Sequence, residues 1–301
     1  MMTNQEVLIV GMGLMGGSLS LAIKERCKNF RVTGVVRSEN SKKTAESMHL
    51  ADEILLDSSL SVSFPWGNYD FIIFSTPVDS VIRYIPMLPK SGKTFITDLG
   101  STKKTIIDAI NRHFGEDHRY LSSHPMCGSE FSGPAAAKVD LYDQKLCILT
   151  KANSTSIDAY DFIRGFWEQI GCWTLDMDAK EHDETLAYLS HLPHIISTLL
   201  VDTAIENETV KKIINATDKP ITGGGFRDMS RIAGSNFEMW LSIFRENQTY
   251  VYESLLKYRD QLNSILEDFS NGKPLEETRL QSLWNLAKEG KKKIQKANEA
   301  D

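Results

Sequence analysis

The stretch Glu6-Val-Leu-Ile-Val-Gly-Met-Gly-Leu-Met-Gly-Gly-Ser-Leu-Ser20 decides how the 301-residue chain is read. Four apolar residues, Val7 to Val10, predict a short buried strand. Gly11, Gly13 and Gly16 follow with G-x-G-x-x-G spacing, and Leu19, Leu21, Ala22 and Ile23 then carry an apolar helical pattern. Three such glycines say little alone, but between a strand and a helix they form the dinucleotide fingerprint. Gly11 allows the tight turn, Gly13 lets the backbone approach a pyrophosphate, and Gly16 lets the helix pack on the strand. The helix N-terminus, with free N–H groups and the positive end of its dipole, favours the anion. Leu14 and Met15 lie within the same cofactor-binding stretch.

The bulk numbers are those of a globular protein with about two domains. A net charge of −6 argues against a nucleic-acid carrier, although it says nothing of a local cationic pocket. Cys27, Cys127, Cys147 and Cys172 show no C-x-x-C and no metal spacing, and read as reduced cysteines of a cytoplasmic protein. No apolar run approaches the ~20 residues of a membrane span. Met-Met-Thr-Asn-Gln5 leads straight into the first strand, leaving no room for a signal peptide.

Further strands are expected at Phe30–Val36, Asp70–Pro77, Thr94–Asp98, Tyr120–Pro125, Leu146–Thr150 and Gly171–Leu175, with helices at Lys104–His113 and Asp158–Ile170. This alternation predicts an α/β, Rossmann-type, doubly wound parallel sheet over residues 1–176. From residue 178 the texture turns helical, predicting an all-helical domain over 177–301. Its segments are Glu181–Asn207, kinked at Pro193, then Phe237–Phe269 and Leu275–Lys296, with Thr222-Gly-Gly-Gly-Phe226 as a flexible break. The basic run Lys288–Lys296 reads as a solvated face.

The residue after the second strand separates NAD from NADP. An NAD site places Asp or Glu there to bind the ribose 2′-hydroxyl. This chain has Arg37-Ser38, a guanidinium and a hydroxyl suited to a 2′-phosphate, so NADP is expected. NAD stays the alternative, with Glu39 as the acid if the register shifts. Thr76 and Pro77, at the end of the third expected strand, fall in the crevice where open parallel sheets bind ligands. Ser101 sits at another strand end and is either a site residue or a helix N-cap. His191 and His194 share a helix face, and without a third ligand or a carboxylate they make a poor metal site, so no metal is expected. Arg231 is a candidate carboxylate clamp, or else the ion-pair partner of Asp228.

Five stretches then combine: Gly11-Met-Gly-Leu-Met-Gly-Gly-Ser18, Thr97-Asp-Leu-Gly-Ser-Thr-Lys103, His124-Pro-Met-Cys-Gly128, Ser190-His-Leu-Pro-His194 and Gly224-Gly-Phe-Arg-Asp-Met-Ser-Arg-Ile-Ala233. In this order and spacing the chain resembles the prephenate/arogenate dehydrogenase family of tyrosine biosynthesis over nearly its whole length. The resemblance implies oxidative decarboxylation of prephenate to 4-hydroxyphenylpyruvate, with hydride passing to a nicotinamide. It implies that His124 is the catalytic histidine on the ring C4 hydroxyl, and that Ser101 orients it and contacts that hydroxyl. It places His191, His194 and Arg231 on the substrate side, Arg231 against a substrate carboxylate, and makes the helical domain a homodimer interface. Cys127 departs from the small apolar residue expected after His-Pro-Met. Arogenate is the alternative substrate. A β-hydroxyacid dehydrogenase would need a catalytic lysine in the first long helix, and none occurs between Lys180 and Lys211. A non-enzymatic redox sensor would need the glycines but not the His124/Ser101 pair.

Overall fold

The computed structural model describes residues 5–129, 131–270, 274–275 and 279–294. Its first strand, β1 (Gln5–Val10), lies at the centre of a five-stranded parallel sheet. Helix α1 (Leu14–Arg26) leads to β2 (Phe30–Val36), α2 (Glu39–Ser47), β3 (Glu53–Leu56), β4 (Phe71–Phe74), α3 (Val78–Tyr84) and β5 (Phe95–Asp98). The strand order is β3-β2-β1-β4-β5. Successive side chains of β1 face opposite ways, so Val7 and Ile9 enter one core with Leu19 and Ile23 of α1. Leu8 and Val10 enter the other, with Val81 of α3. Burial on both faces is why this strand reads as an unbroken apolar run. Strand order reverses between β1 and β4, and Ser75 N–H donates to Val10 O there at 2.8 Å. That switch point opens the crevice in which such sheets bind ligands.

Helix α4 (Lys104–His113) precedes β6 (Leu121–Pro125), β7 (Leu146–Lys151), α5 (Ile157–Ile170) and β8 (Trp173–Asp176). Here the fold departs from a single parallel sheet. β6, β7 and β8 form a separate three-stranded sheet in which β6 and β7 are antiparallel, with His124 opposite Ile148. A parallel return needs a crossover of a dozen or more residues, usually a helix. Between Pro125 and Leu146 the described residues hold only a short 3-10 turn, Pro134–Ala136. The strand β3, too short and too mixed in pattern to stand out, was not anticipated.

The helical part begins with α6 (Ala179–Leu186), closed by a capping box between Asp178 and Glu181. A π-helical turn, Ala187–His191, follows, then α7 (Leu192–Glu206). The expected kink at Pro193 is therefore a wide turn ahead of it, with Pro193 in the first turn of α7, where a missing N–H is tolerated. Next come α8 (Glu208–Asn215), α9 (Gly224–Ser230) and α10 (Phe237–Glu246). The glycine run expected to be a flexible break instead opens α9, because Gly224 and Gly225 are followed by a helical turn ending at Arg231. The long pattern from Phe237 breaks at Asn247, and α11 runs Gln248–Ser270. The last expected helix appears as α12 (Leu280–Ile294), with 276–278 and 295–296 outside the described residues. Sheet gives way to helix after β8, but the compact units are Met1–Gln248 and Thr249–Asp301. The first unit extends past residue 176 because α6 packs on α4 and α10 on α3. No described helix is long and apolar enough to cross a membrane.

Candidate active site

At the end of β1 the chain turns on Gly11, whose φ of +103° lies in the left-handed region. A Cβ on Gly16 would stand 2.0 Å from Gly11 O, so only glycine lets α1 start this close to the strand. Gly13 differs, because a Cβ there would meet nothing within 4 Å and would project into open space. That space is a cavity of about 920 Å³ lined by Gly11, Gly13, Arg37, Ser41, Thr76 and Pro77 among others. Ser75 Oγ and Thr76 Oγ1 are buried there without a hydrogen-bond partner among the described residues. Orphaned hydroxyls beside an open glycine cradle at a helix N-terminus fit a dinucleotide. Ser38, expected on the cofactor, does not line this cavity; its Oγ accepts from Ser41 N–H and caps α2. Ser41, one turn on, lines the cavity in its place.

A second cavity, of about 770 Å³, shares Gly13, Ser75 and Pro77 with the first. It brings together Leu14, Met15, Ser101, His124, His191, His194 and Arg231, which lie far apart in the sequence. Ser101 is not the cap of α4, whose N-cap is Lys103. Arg231 makes no ion pair with Asp228 among the described residues, and is exposed at the end of α9. Cys127 lines the same wall, and burial pushes its thiol up to about 12, so it is a neutral packing residue.

His124 is held from behind by a chain that sequence did not reveal. Its Nδ1 lies 2.8 Å from His182 Nε2, and His182 Nδ1 lies 2.8 Å from Asp183 Oδ1. A carboxylate only accepts, so His182 carries its proton on Nδ1 and accepts through Nε2. His124 must then donate from Nδ1, which leaves its Nε2 as a lone pair. Asp183 is itself fixed by Lys103 N–H on Oδ1 at 2.7 Å and Lys104 N–H on Oδ2 at 2.9 Å, the first N–H groups of α4. Burial holds His124 well below the usual histidine range, reinforced by His182, Lys103 and His191. His182 is lowered chiefly by burial as well.

The Gly100-Ser-Thr-Lys103 motif supplies the floor. Lys103 is fully buried, and its Nζ donates to Asp98 Oδ1 at 2.9 Å, Ser122 Oγ at 2.9 Å and Ser123 O at 2.7 Å. All three ammonium protons are thus used, as a buried charge requires. The pair ties the end of β5 to β6 beneath His124. On the opposite wall His194 packs at a tilt of 32° against Trp240, with centroids 3.7 Å apart. Burial lowers both His191 and His194 to about 4, so both rings are neutral at pH 7. Buried pairs such as His182–Asp183 leave no distinctive trace in a sequence, because a surface His-Asp step reads the same.

Two family models match the chain. One, described as the prephenate dehydrogenase nucleotide-binding domain, covers residues 19–174, and the other, its dimerization domain, covers 178–279. The chain is 30% identical to a prephenate dehydrogenase of Bacillus subtilis over 262 residues, 86% of this chain and 68% of that one. It is 31% identical to a cyclohexadienyl dehydrogenase of Zymomonas mobilis over 247 residues, 81% of each. Among solved structures it resembles prephenate dehydrogenase from Aquifex aeolicus in complex with hydroxyphenyl propionate and NAD+. The TM-score is 0.83 at 28% identity, covering 97% of this chain and 99% of that one.

Proposed function

This chain belongs to the prephenate dehydrogenase family, and from that premise we propose that it converts prephenate to 4-hydroxyphenylpyruvate and carbon dioxide, with NADP as cofactor. The observation that carries the reading is the Asp183–His182–His124 chain, which ends as a lone pair in a cavity also lined by Ser101 and Arg231. When bound, the nicotinamide supplies the acceptor for the hydride lost from ring carbon C4. His124 Nε2 takes the C4 hydroxyl proton as the carbon is oxidised, which is general-base catalysis by a group already neutral at pH 7. Proton loss from that hydroxyl is unfavourable in the ground state, so the gain comes from holding base and hydroxyl together. Ser101 hydrogen-bonds the same hydroxyl. Arg231 grips a substrate carboxylate as a bidentate fork and keeps the ring in register. Loss of the C1 carboxylate then aromatises the ring and makes the step irreversible.

The 2′-phosphate of NADP falls to Arg37 and Ser41, with Ser38 acting through α2 by ordering its N-terminus. The helical region carries apolar residues left on the surface, such as Leu199 of α7 and, in the second unit, Leu262 and Leu266 of α11. Such faces suit a homodimer, in keeping with the dimerization-domain match. Four unbridged cysteines suit a cytoplasmic setting. The test is initial rates on prephenate and on arogenate, each with NADP and NAD. Prephenate with NADP is expected to be the best pair, and turnover of arogenate alone would overturn the substrate assignment.

A further inference from the structure

Helices α10 and α11 are separated by one residue, Asn247, which is only 3% exposed. Its Nδ2 donates to Asp183 O at 2.7 Å and lies 3.1 Å from His191 Nδ1. A carbonyl oxygen only accepts, so the amide atom facing it must be the nitrogen. That fixes the orientation of the whole amide and leaves its second hydrogen for His191 Nδ1. Nδ1 therefore accepts, and the single proton of neutral His191 resides on Nε2.

Every charged or titratable neighbour is compatible with that neutral ring. Burial dominates, His182 and His194 oppose protonation, and Asp183 favours it without prevailing, so His191 sits at about 4. Trp240 packs edge to face on the ring at 5.9 Å and offers no competing acceptor there. His191 lines the cavity that holds His124, Ser101 and Arg231.

We propose that Asn247 is a positioning residue that locks His191 as its Nε2–H tautomer, so that the cavity wall presents a neutral donor selecting a keto acid over the corresponding amino acid. A keto oxygen accepts from that N–H, whereas the carboxylates are common to both acids and do not discriminate. An ammonium group has only donors and finds no partner in it. Flipping the tautomer would turn the same wall into an acceptor. The selectivity half of this proposal rests on the substrate reading above, whereas the tautomer half does not.

Nitrogen NMR of the histidine-labelled protein tests the lock without substrate. His191, assigned by the signal lost in His191→Gln, should show a pyridine-type Nδ1 and a pyrrole-type, protonated Nε2. The reverse pattern in the wild-type protein overturns the proposal. In Asn247→Leu, with folding checked by circular dichroism, KM for prephenate should rise about three- to tenfold while kcat moves less than twofold, the size of one lost neutral hydrogen bond. KM for arogenate should change less. Equal changes on both substrates, or an unchanged KM with the tautomer retained, would overturn it. A correct tautomer in an enzyme that ignores prephenate would instead count against the substrate assignment.

Discussion

Replacing His124 by Asn removes the proposed proton acceptor and keeps a polar side chain of similar placement. The variant should fold and bind NADP, and lose a factor of ~10² to 10⁴ in kcat. Unchanged turnover, measured with saturating substrate, would sink the assigned role. The pH dependence has a definite sign. The folded His124 is held below the ordinary 6.5, first by burial and then by His182, Lys103 and His191. Its basic form is therefore complete at neutral pH and is lost only as pH falls through the lowered value. A plot of log kcat/KM should stay level from pH 8 to 6.5 and bend only at lower pH; a bend at 6.5 or above would mean the base is another group. Arg37 is exposed and lines the first cavity, and the proposed 2′-phosphate contact is tested there. Arg37→Ala should raise KM for NADP about tenfold or more and leave KM for NAD nearly unchanged. Equal effects on both would remove the 2′-phosphate contact.

At the scale of elements, the site depends on α6 meeting the N-terminus of α4. Helix N-termini leave backbone N–H groups unsatisfied, and those of Lys103 and Lys104 are satisfied by Asp183, 79 to 80 residues away. The same carboxylate fixes the tautomer of His182 and, through it, of His124. One substitution should therefore act on both stability and rate. Asp183→Ala should cost about 2–3 kcal/mol in denaturant unfolding, as charged hydrogen bonds are lost. It should also lower kcat far more than it raises KM. A loss of stability with normal kcat would show that Asp183 serves α4 alone. The π turn Ala187–His191 is a second device of this kind. It inserts into the helical run just before Pro193 and contributes Ser190 and His191 to the cavity wall. Helical periodicity reports apolar spacing, and Leu186, Leu189 and Leu192 look the same whether the ladder is α or locally π, so this turn was not legible.

For the whole molecule, the buried neutral histidines make stability fall on the acid side. The unfolded chain takes up protons near 6.5, whereas folded His191 and His194 wait until about 4. Below 6.5 the unfolded state binds more protons, so stability is full above that pH and is lost progressively as pH falls towards 4. His191 alone accounts for about 3 kcal/mol across the window. Tm by calorimetry should drop clearly between pH 7 and 5, above the range where carboxylates titrate, and a flat Tm would contradict the neutral cluster. The sequence by itself determined the dinucleotide site, because Gly11, Gly13 and Gly16 act within one strand–turn–helix unit, and local spacing is all that unit needs. Through motif resemblance it also grouped His124, Ser101, His191, His194 and Arg231, which line one cavity in the structure. Tertiary structure alone decided the antiparallel turn of β6 and β7 and the link from the Asp183–His182 pair to His124. It alone set Asn247 against His191. The physical reason is that hydrogen-bond direction and desolvation depend on which groups share a buried space, and residues 56 to 80 positions apart carry no local pattern that announces it.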